Sequence, residues 1–242
     1  MAWELEHLVK VAAGAISETA AALDAEQAVR GVDALDEVDL HPILARAFAR
    51  AGFGVWREWP YPTQALLKRE KTKASDRDRC DVVLTPGPGV RPRDPVAEAR
   101  ARAAAEMTLF SEVVVEAEAA GCAALECCWI EVKSVGQVVY RRGVPGPNSA
   151  YSSELTAAFA SDLRKLGGER AIQHGVVLGV LFAATDEVLG HDVPIALHRC
   201  LDRGLRFGTP RREAFAIADR AGNRWCEVWG VPVNRAEARL FG

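Results

Sequence analysis

The feature that most limits the fold of this chain is the segment 175–184, GVVLGVLFAA, which contains no polar side chain. Successive side chains of a β-strand point to opposite faces of a sheet, so a strand without polar residues is buried on both faces. Helices must then cover the sheet above and below. The segment therefore predicts an α/β fold in which 175–184 is a central strand.

A second buried strand is predicted within the stretch 127–137, CCWIEVKSVGQ, because Cys128 to Val132 is a short run of bulky and β-branched residues. Glu131 and Lys133 are two residues apart, so both side chains project from the same face. A buried carboxylate and amine cost desolvation free energy unless they pair or bind something. The simpler interpretation is a Glu–Lys pair at a sheet edge, and the alternative is a functional site.

A third predicted strand, 79–84 with the sequence RCDVVL, carries Asp81 among apolar residues. If it lies beside the Glu131 strand, the two carboxylates converge, with the backbone carbonyl of Val132 between the Glu131 and Lys133 side chains. Two carboxylates, a carbonyl and several waters suit Mg²⁺, with Mn²⁺ as the expected substitute. We therefore predict metal ligands at Asp81, Glu131 and Val132. Lys133 is placed to hold the attacking water or to stabilise charge on a phosphate.

The predicted order along the chain is a helix, a strand with Glu58, the strand with Asp81, the strand with Glu131 and Lys133, a second helix and the apolar strand. This order resembles that of the PD-(D/E)xK superfamily, the restriction-endonuclease-like nucleases, over roughly residues 40–184. Asp81, Glu131 and Lys133 match the catalytic positions of that family, and Gln137 matches a supporting glutamine of many members. The resemblance implies a three-layer α/β/α core with a mixed sheet, and Mg²⁺-dependent hydrolysis of phosphodiester bonds in DNA or RNA, with DNA favoured. Two features depart from the family: no proline precedes Asp81, and the Asp81–Glu131 separation is unusually long.

Two further residues have two interpretations each. Glu58, on the predicted strand 55–61, is either an additional acidic group of the catalytic site or a partner of Arg57 or Arg79. His41, at the start of the first core helix, either reaches the substrate or is a surface or capping histidine. The second interpretation is favoured for His41, because a single histidine specifies little.

The helix predicted after the Glu131 strand has an inward stripe that includes Phe159 and Leu163. Asp162 and Lys165 are expected on its other side. A surface ion pair between residues three apart on a helix is sufficient to explain them.

The net charge of −3 does not itself indicate nucleic-acid binding. A nuclease nevertheless needs only a local basic surface around its acidic site. Candidate phosphate contacts lie in the run 66–79, LLKREKTKASDRDR, and in a flexible basic loop expected at 141–149. They are Lys68, Lys71, Lys73, Arg79, Arg141 and Arg142. For the first run, a solvated mobile loop is the simpler interpretation.

Residues 1–36 are predicted to form an N-terminal helical extension, with an amphipathic helix over 3–30, and residues 37–242 to form one α/β domain. A helix inserted at about 94–121 begins with Asp94 as N-cap and carries a heptad-like apolar seam. The seam either packs within the chain, which is favoured, or pairs with a second copy in a homodimer.

An apolar fraction of 49% and a charged fraction of 26% are typical of soluble globular proteins. No apolar run reaches membrane-spanning length, and the N-terminal residues lack the pattern of a secretion signal, so we expect a cytoplasmic protein without a membrane partner. The six cysteines form no C-x-x-C unit, which argues against a zinc knuckle.

The alternatives to a nuclease are a binding or structural protein without turnover, and a small-molecule enzyme on a different α/β fold. The latter would require Asp81 and Glu131 to lie far apart.

Overall fold

The structure is a computed structural model that describes residues 3–62, 78–99 and 121–233. A 3₁₀ turn at Val32–Ala34 lies between the first two helices, and residues 95–99 are helical. The helices and strands, in chain order, are α1 (Leu5–Ala25), α2 (Glu37–Arg50), β1 (Gly54–Pro60), β2 (Arg79–Thr85), β3 (Cys128–Gly136), β4 (Val138–Arg141), β5 (Val144–Pro147), α3 (Tyr151–Gly168), β6 (His174–Ala183), α4 (Asp186–Asp202), β7 (Arg211–Ala216) and β8 (Trp225–Pro232).

Six of the described strands form one mixed sheet in the order β1-β2-β3-β6-β8-β7. β3 and β6 run parallel, and the other neighbouring pairs are antiparallel. β6 lies between β3 and β8, and all its residues after His174 are buried, which confirms the predicted central strand. The α/β class with a mixed sheet is confirmed as well. β4 and β5 form a separate two-stranded hairpin.

Helices cover both faces of this sheet. On one face, Leu8 of α1 and Leu44 of α2 share a core with Ile130 of β3. On the opposite face, Phe159 of α3 packs in a second core with Trp129 of β3, and α4 lies beside α3. The alternation of Trp129 and Ile130 between the two cores is the expected period of a strand buried on both sides. The layers are therefore helix, sheet and helix.

The first helix is part of this packing. It contacts β7, β8 and α2, so the segment predicted as an N-terminal extension shares a core with the sheet. α1 ends at Ala25, five residues before the predicted end at residue 30. α2 begins at Glu37, and Asp39 accepts a hydrogen bond from the backbone N–H of Asp36 at 3.2 Å. This start places Glu37 and His41 one turn apart on the same face of α2.

Two other predictions concern segments beside the sheet. The predicted flexible loop at 141–149 is for the most part the hairpin of β4 and β5. Asp94 accepts hydrogen bonds from the N–H groups of Val96 and Ala97 at 3.1 and 3.3 Å, as expected of an N-cap. Most of the predicted apolar seam, at residues 100–120, lies outside the described residues. No helix in the described part of the chain has the length and apolar character needed to cross a membrane.

Candidate active site

The candidate site lies where β2 and β3 separate. The last paired residues are Val82 and Ile130, so Asp81 and Glu131 are the next opposed positions. Instead of backbone pairing there, Asp81 Oδ2 accepts a hydrogen bond from the backbone N–H of Val132 at 2.7 Å. The two acidic strands are neighbours, which meets the condition that the metal-site prediction required. We call the point where β2 and β3 separate, after the pair Val82–Ile130, the fork. At the fork, the carboxylate of Asp81 accepts the hydrogen bond that a backbone carbonyl would otherwise accept.

The side chain of Glu131 is only 2% exposed and faces α3. Its Oε1 accepts a hydrogen bond from the Tyr61 hydroxyl and lies 2.8 Å from Lys165 Nζ. The Tyr61 ring stacks on Trp129 with 5.7 Å between centroids, and Lys165 Nζ lies 4.9 Å from the Tyr61 ring centre. Glu131 is therefore held by a cation and a hydroxyl among aromatic rings.

Lys133 joins the two helical layers. Its Nζ lies 2.8 Å from Glu37 Oε1 of α2 and 3.5 Å from Asp162 Oδ2 of α3. Burial opposes the charged form, but the hydrogen bond to Glu37 and the charge of Asp162 outweigh it and raise the pKa of Lys133. The simpler sequence interpretation, a direct pair between Glu131 and Lys133, is therefore replaced by two pairs to helices.

The prediction of a surface ion pair between Asp162 and Lys165 on α3 was wrong. The Asp162 side chain is only 6% exposed, and both Asp162 and Lys165 pair with residues of β3. The sequence contained a signal for this. Asp162 lies three residues after Phe159 and four before Leu166, so it shares their buried stripe on the helix.

His41 is the residue whose role the sequence interpretation most underestimated. Its side chain is 4% exposed, and among the described residues neither ring nitrogen has a hydrogen-bond partner. Nδ1 lies 3.7 Å from Glu58 Oε1 and Nε2 lies 3.9 Å from Asp81 Oδ2, both longer than a hydrogen bond. A buried polar group left unpaired costs about 1–3 kcal/mol. A surface or capping histidine is thus the wrong interpretation.

The surroundings of His41 fit a cation. One ligand atom from each of Glu37, His41 and Asp81 lies within 4.8 Å of the other two. A bound cation would give the unpartnered imidazole a ligand interaction and would neutralise the carboxylates. The residues present therefore fit a divalent metal on the α2 side of the fork, while Glu131 lies on the α3 side.

Glu58 lies at the rim of this cluster. Its φ of 51° is left-handed, and the pairs that flank it, Arg57 with Val82 and Trp59 with Cys80, leave it unpaired opposite Asp81. A left-handed residue other than glycine costs roughly 1–2 kcal/mol, and such strain is concentrated at functional sites. Glu58 had two predicted roles, an acidic group of the catalytic site or a partner of Arg57 or Arg79. Its contact with His41 favours the first role. Its contact with Arg79 runs through its backbone carbonyl.

Gln137 lies away from the charged groups. Its side-chain Oε1 accepts a hydrogen bond from the N–H of Ala184 at 3.0 Å, and its own N–H donates to Phe182 O at 2.9 Å. These bonds join the end of β3 to the end of β6. The structure therefore shows Gln137 aligning two strands, and its predicted catalytic support is not among its contacts.

The basic residues predicted to contact phosphate fall into three groups. Lys68, Lys71 and Lys73 lie outside the described residues. Arg79 lies beside the site, where its carbonyl accepts a hydrogen bond from Lys165 at 3.2 Å. Arg141 and Arg142 are exposed on the β4–β5 hairpin.

Two carboxyl groups of the site have raised pKa values. Burial, and then the charge of Asp81, raise the pKa of Glu131 to about 7, although Lys165 and Tyr61 oppose the shift. Burial likewise raises the pKa of Asp162 to about 6, against the charges of Lys133 and Lys165. Carboxyl groups that titrate near neutrality are characteristic of functional sites, and they make the folded state sensitive to pH.

The unfolding free energy of the wild type, relative to Glu131→Gln, is expected to fall by about 3 kcal/mol between pH 4.5 and pH 8. The folded protein keeps the Glu131 proton up to about pH 7, whereas the unfolded chain releases it near the ordinary value of 4.5. The stabilisation is therefore complete below pH 4.5 and is lost as the pH rises to 7. Urea unfolding of both proteins across this range measures it. If the difference in unfolding free energy between the two proteins stayed constant with pH, Glu131 would not be a buried group with a pKa near 7.

No protein-family model matches the chain, and comparisons with curated proteins and with solved structures gave no significant match. The chemistry of the fork between β2 and β3 therefore carries the functional proposal.

Proposed function

We propose that this protein is a metal-dependent nuclease that hydrolyses phosphodiester bonds, with DNA favoured over RNA as substrate. The observation that carries the proposal is that buried His41, which has no hydrogen-bond partner among the described residues, lies in a cluster with Glu37 and Asp81. Lys133 pairs with Glu37 of this cluster, and Lys165 pairs with the neighbouring carboxylate of Glu131. Metal ligands next to ammonium groups suit hydrolysis of a phosphodiester, because both the metal and the ammonium groups stabilise negative charge on the phosphate.

Glu37, His41 and Asp81 would hold the metal. Two carboxylate oxygens and one imidazole nitrogen suit Mn²⁺, since imidazole is a weaker choice for Mg²⁺ than oxygen. Mg²⁺ remains the proposed physiological ion and Mn²⁺ its substitute. Glu131 and the Val132 carbonyl, the other predicted ligands, would join only after Glu131 exchanges its contact with Lys165.

Each charged side chain has a distinct proposed role. A bound divalent cation supplies charge stabilisation and lowers the pKa of water. Lys133 and Lys165 both have raised pKa values, so they remain protonated and stabilise negative charge on phosphate oxygens instead of accepting protons. Glu131, with a pKa of about 7, would accept a proton from the attacking water only if it left Lys165 and did not itself bind the metal.

A binding module without turnover is the second candidate. One specific observation favours it: Glu131 and Lys133 already make ion pairs with Lys165, Glu37 and Asp162. A site whose charges are mutually satisfied is also what a purely structural network would show. Metal binding and cleavage distinguish the two candidates.

The test is calorimetric titration of Mn²⁺ and Mg²⁺ into wild type and His41→Phe, together with cleavage assays on single- and double-stranded DNA and RNA. We expect the wild type to bind Mn²⁺ more tightly than Mg²⁺ and to cleave. His41→Phe should weaken Mn²⁺ binding at least about tenfold, because it removes one ligand. Without metal, its melting temperature should equal or exceed that of the wild type, because the His41 side chain forms no hydrogen bond with the described residues.

His191→Phe is the matched control, since His191 is exposed on α4 and its nearest carboxylate is its own neighbour Asp192. This variant should bind metal as the wild type does. A folded wild type that binds neither metal would overturn the nuclease proposal and leave the binding module. Metal binding unchanged in His41→Phe would show that the metal lies elsewhere.

A further inference from the structure

The β4–β5 hairpin follows β3 directly and forms a two-stranded sheet of its own. Arg141 pairs with Val144, so Arg142 and Gly143 form a two-residue turn, with φ values of 51° and 82°. Positive φ at both central positions is the geometry that matches the twist of a hairpin. Val144, next to this turn, is 68% exposed. The hairpin therefore presents arginines from a defined position.

Arg30 lies against the turn that carries Arg141 and Arg142, both of which are exposed. The guanidinium of Arg30 lies 5.9 Å from the ring centre of Tyr140, and a Cβ at Gly143 would lie 2.7 Å from Arg30 Nη2. Arg30 thus lies against both the ring and the turn that carries Arg141 and Arg142. We define Arg30, Tyr140, Arg141 and Arg142 together as the hairpin patch.

Carboxylates in the described part of the chain do not pair with the arginines of the hairpin patch. Within the ranges that the structure describes, Arg30, Arg141 and Arg142 form no ion pair. Burial, and then the charge of Asp33, raise the pKa of Tyr140; Asp33 is itself buried and accepts a hydrogen bond from Asn223 at 2.9 Å, and Asp24 pairs with Arg220. Guanidinium groups without carboxylate partners are free to bind an external anion.

The hairpin patch is linked to the candidate site by a short path. Lys133 and Arg142 are nine residues apart along β3 and β4, a separation of at most about 30 Å at the rise of a strand. Arg30 precedes Glu37, a residue of the metal cluster, by seven residues. A stacked nucleic-acid strand rises about 3.4 Å per nucleotide, so at most about nine nucleotides would span from the patch to the site.

We propose that the hairpin patch binds single-stranded nucleic acid and guides it toward the fork between β2 and β3. This proposal adds a substrate-binding surface to the proposed nuclease. Binding of the strand does not depend on the nuclease function, but cleavage of the bound strand does. Arginines bind successive phosphates, and an aromatic ring such as Tyr140 stacks on a base only when that base is unpaired. A single strand therefore fits both components of the patch, whereas a duplex fits only the arginines.

The test measures fluorescence anisotropy of a labelled 20-nucleotide oligo(dT) with EDTA present, so that binding is separated from cleavage. The variant Arg141→Ala/Arg142→Ala should lower affinity roughly tenfold and reduce the slope of log affinity against log salt by about 1.4, for two phosphates. Tyr140→Leu should lower affinity for the single strand by about tenfold. Circular dichroism confirms that each variant is folded.

Arg203→Ala/Arg206→Ala is the matched control, because it removes the same charge from an exposed segment at the end of α4. It should bind oligo(dT) as the wild type does. Equal affinity of the hairpin variant and the wild type would overturn the inference, as would equal losses in the two double variants. A 20-base-pair duplex bound as tightly as oligo(dT), with the same loss in the hairpin variant, would overturn the assignment to single strands. Binding through the patch by a protein that cleaves nothing would refute the nuclease function and leave the patch intact.

Discussion

Asp81→Asn is expected to reduce phosphodiester cleavage at least about a thousandfold, equivalent to roughly 4 kcal/mol of transition-state stabilisation. The amide keeps an oxygen that can accept the hydrogen bond from the Val132 N–H, so the fork between β2 and β3 stays intact. It removes the negative charge that faces Glu37 and His41 in the cluster. Single-turnover cleavage and Mn²⁺ titration measure the effect, and thermal unfolding checks that the fold is preserved.

Asp202→Asn serves as the control for Asp81→Asn, because Asp202 is an exposed aspartate at the end of α4 and is far from the fork in the chain. We expect wild-type cleavage and metal binding from this control. If Asp81→Asn retained more than about a tenth of the wild-type rate, Asp81 would not be a metal ligand in the reaction. A large fall in its melting temperature would instead identify Asp81 as a structural cap for β3.

Lys165→Met is expected to lower the unfolding free energy by about 3–5 kcal/mol at pH 8. It removes the cation that lies 2.8 Å from the buried Glu131 carboxylate and leaves that charge, among the described residues, with the hydrogen bond from the Tyr61 hydroxyl. The cost should be smaller at pH 5.5, because burial already raises the pKa of Glu131 to about 7 and the carboxyl group can neutralise itself by protonation. Urea unfolding at both pH values measures the difference.

The exposed pair Lys10–Glu6 on α1 is a matched control for this ion pair, since its two charged atoms are also 2.8 Å apart. Lys10→Met should change the unfolding free energy too little to measure, because solvent screens an exposed pair. In the double variant Glu131→Gln/Lys165→Met, the loss should be clearly smaller than in Lys165→Met alone. A loss below about 1 kcal/mol for Lys165→Met at pH 8 would mean that water solvates Glu131 despite its burial.

The strands of the site were predictable because their signals are local. The segments around Asp81 and Glu131 are short apolar runs, and period-two alternation assigns each residue to a face without reference to the rest of the chain. The same reasoning placed the central strand at 175–184. Helix start signals were local as well, and they succeeded at Asp94, where the N-cap was predicted.

The roles of His41, Asp162 and Lys165 were not predictable in this way. Each is a single polar residue on a helix, and a polar residue on a helix is most often exposed to solvent. The packing of α2 and α3 against opposite faces of β3 is what buries them. Gln137 illustrates the opposite case, since its position matched a family pattern but its side chain bonds to the backbone of Ala184.

The sequence by itself determined the class of the fold, the central strand and the positions of Asp81, Glu131 and Lys133 on two short apolar strands. Only the tertiary structure decided which charges meet. Lys133 pairs with Glu37, 96 residues away, and Glu131 pairs with Lys165 from another layer. The reason is physical: backbone periodicity is set by neighbours along the chain, whereas the partner of a buried charge is set by which layers pack over it and exclude water.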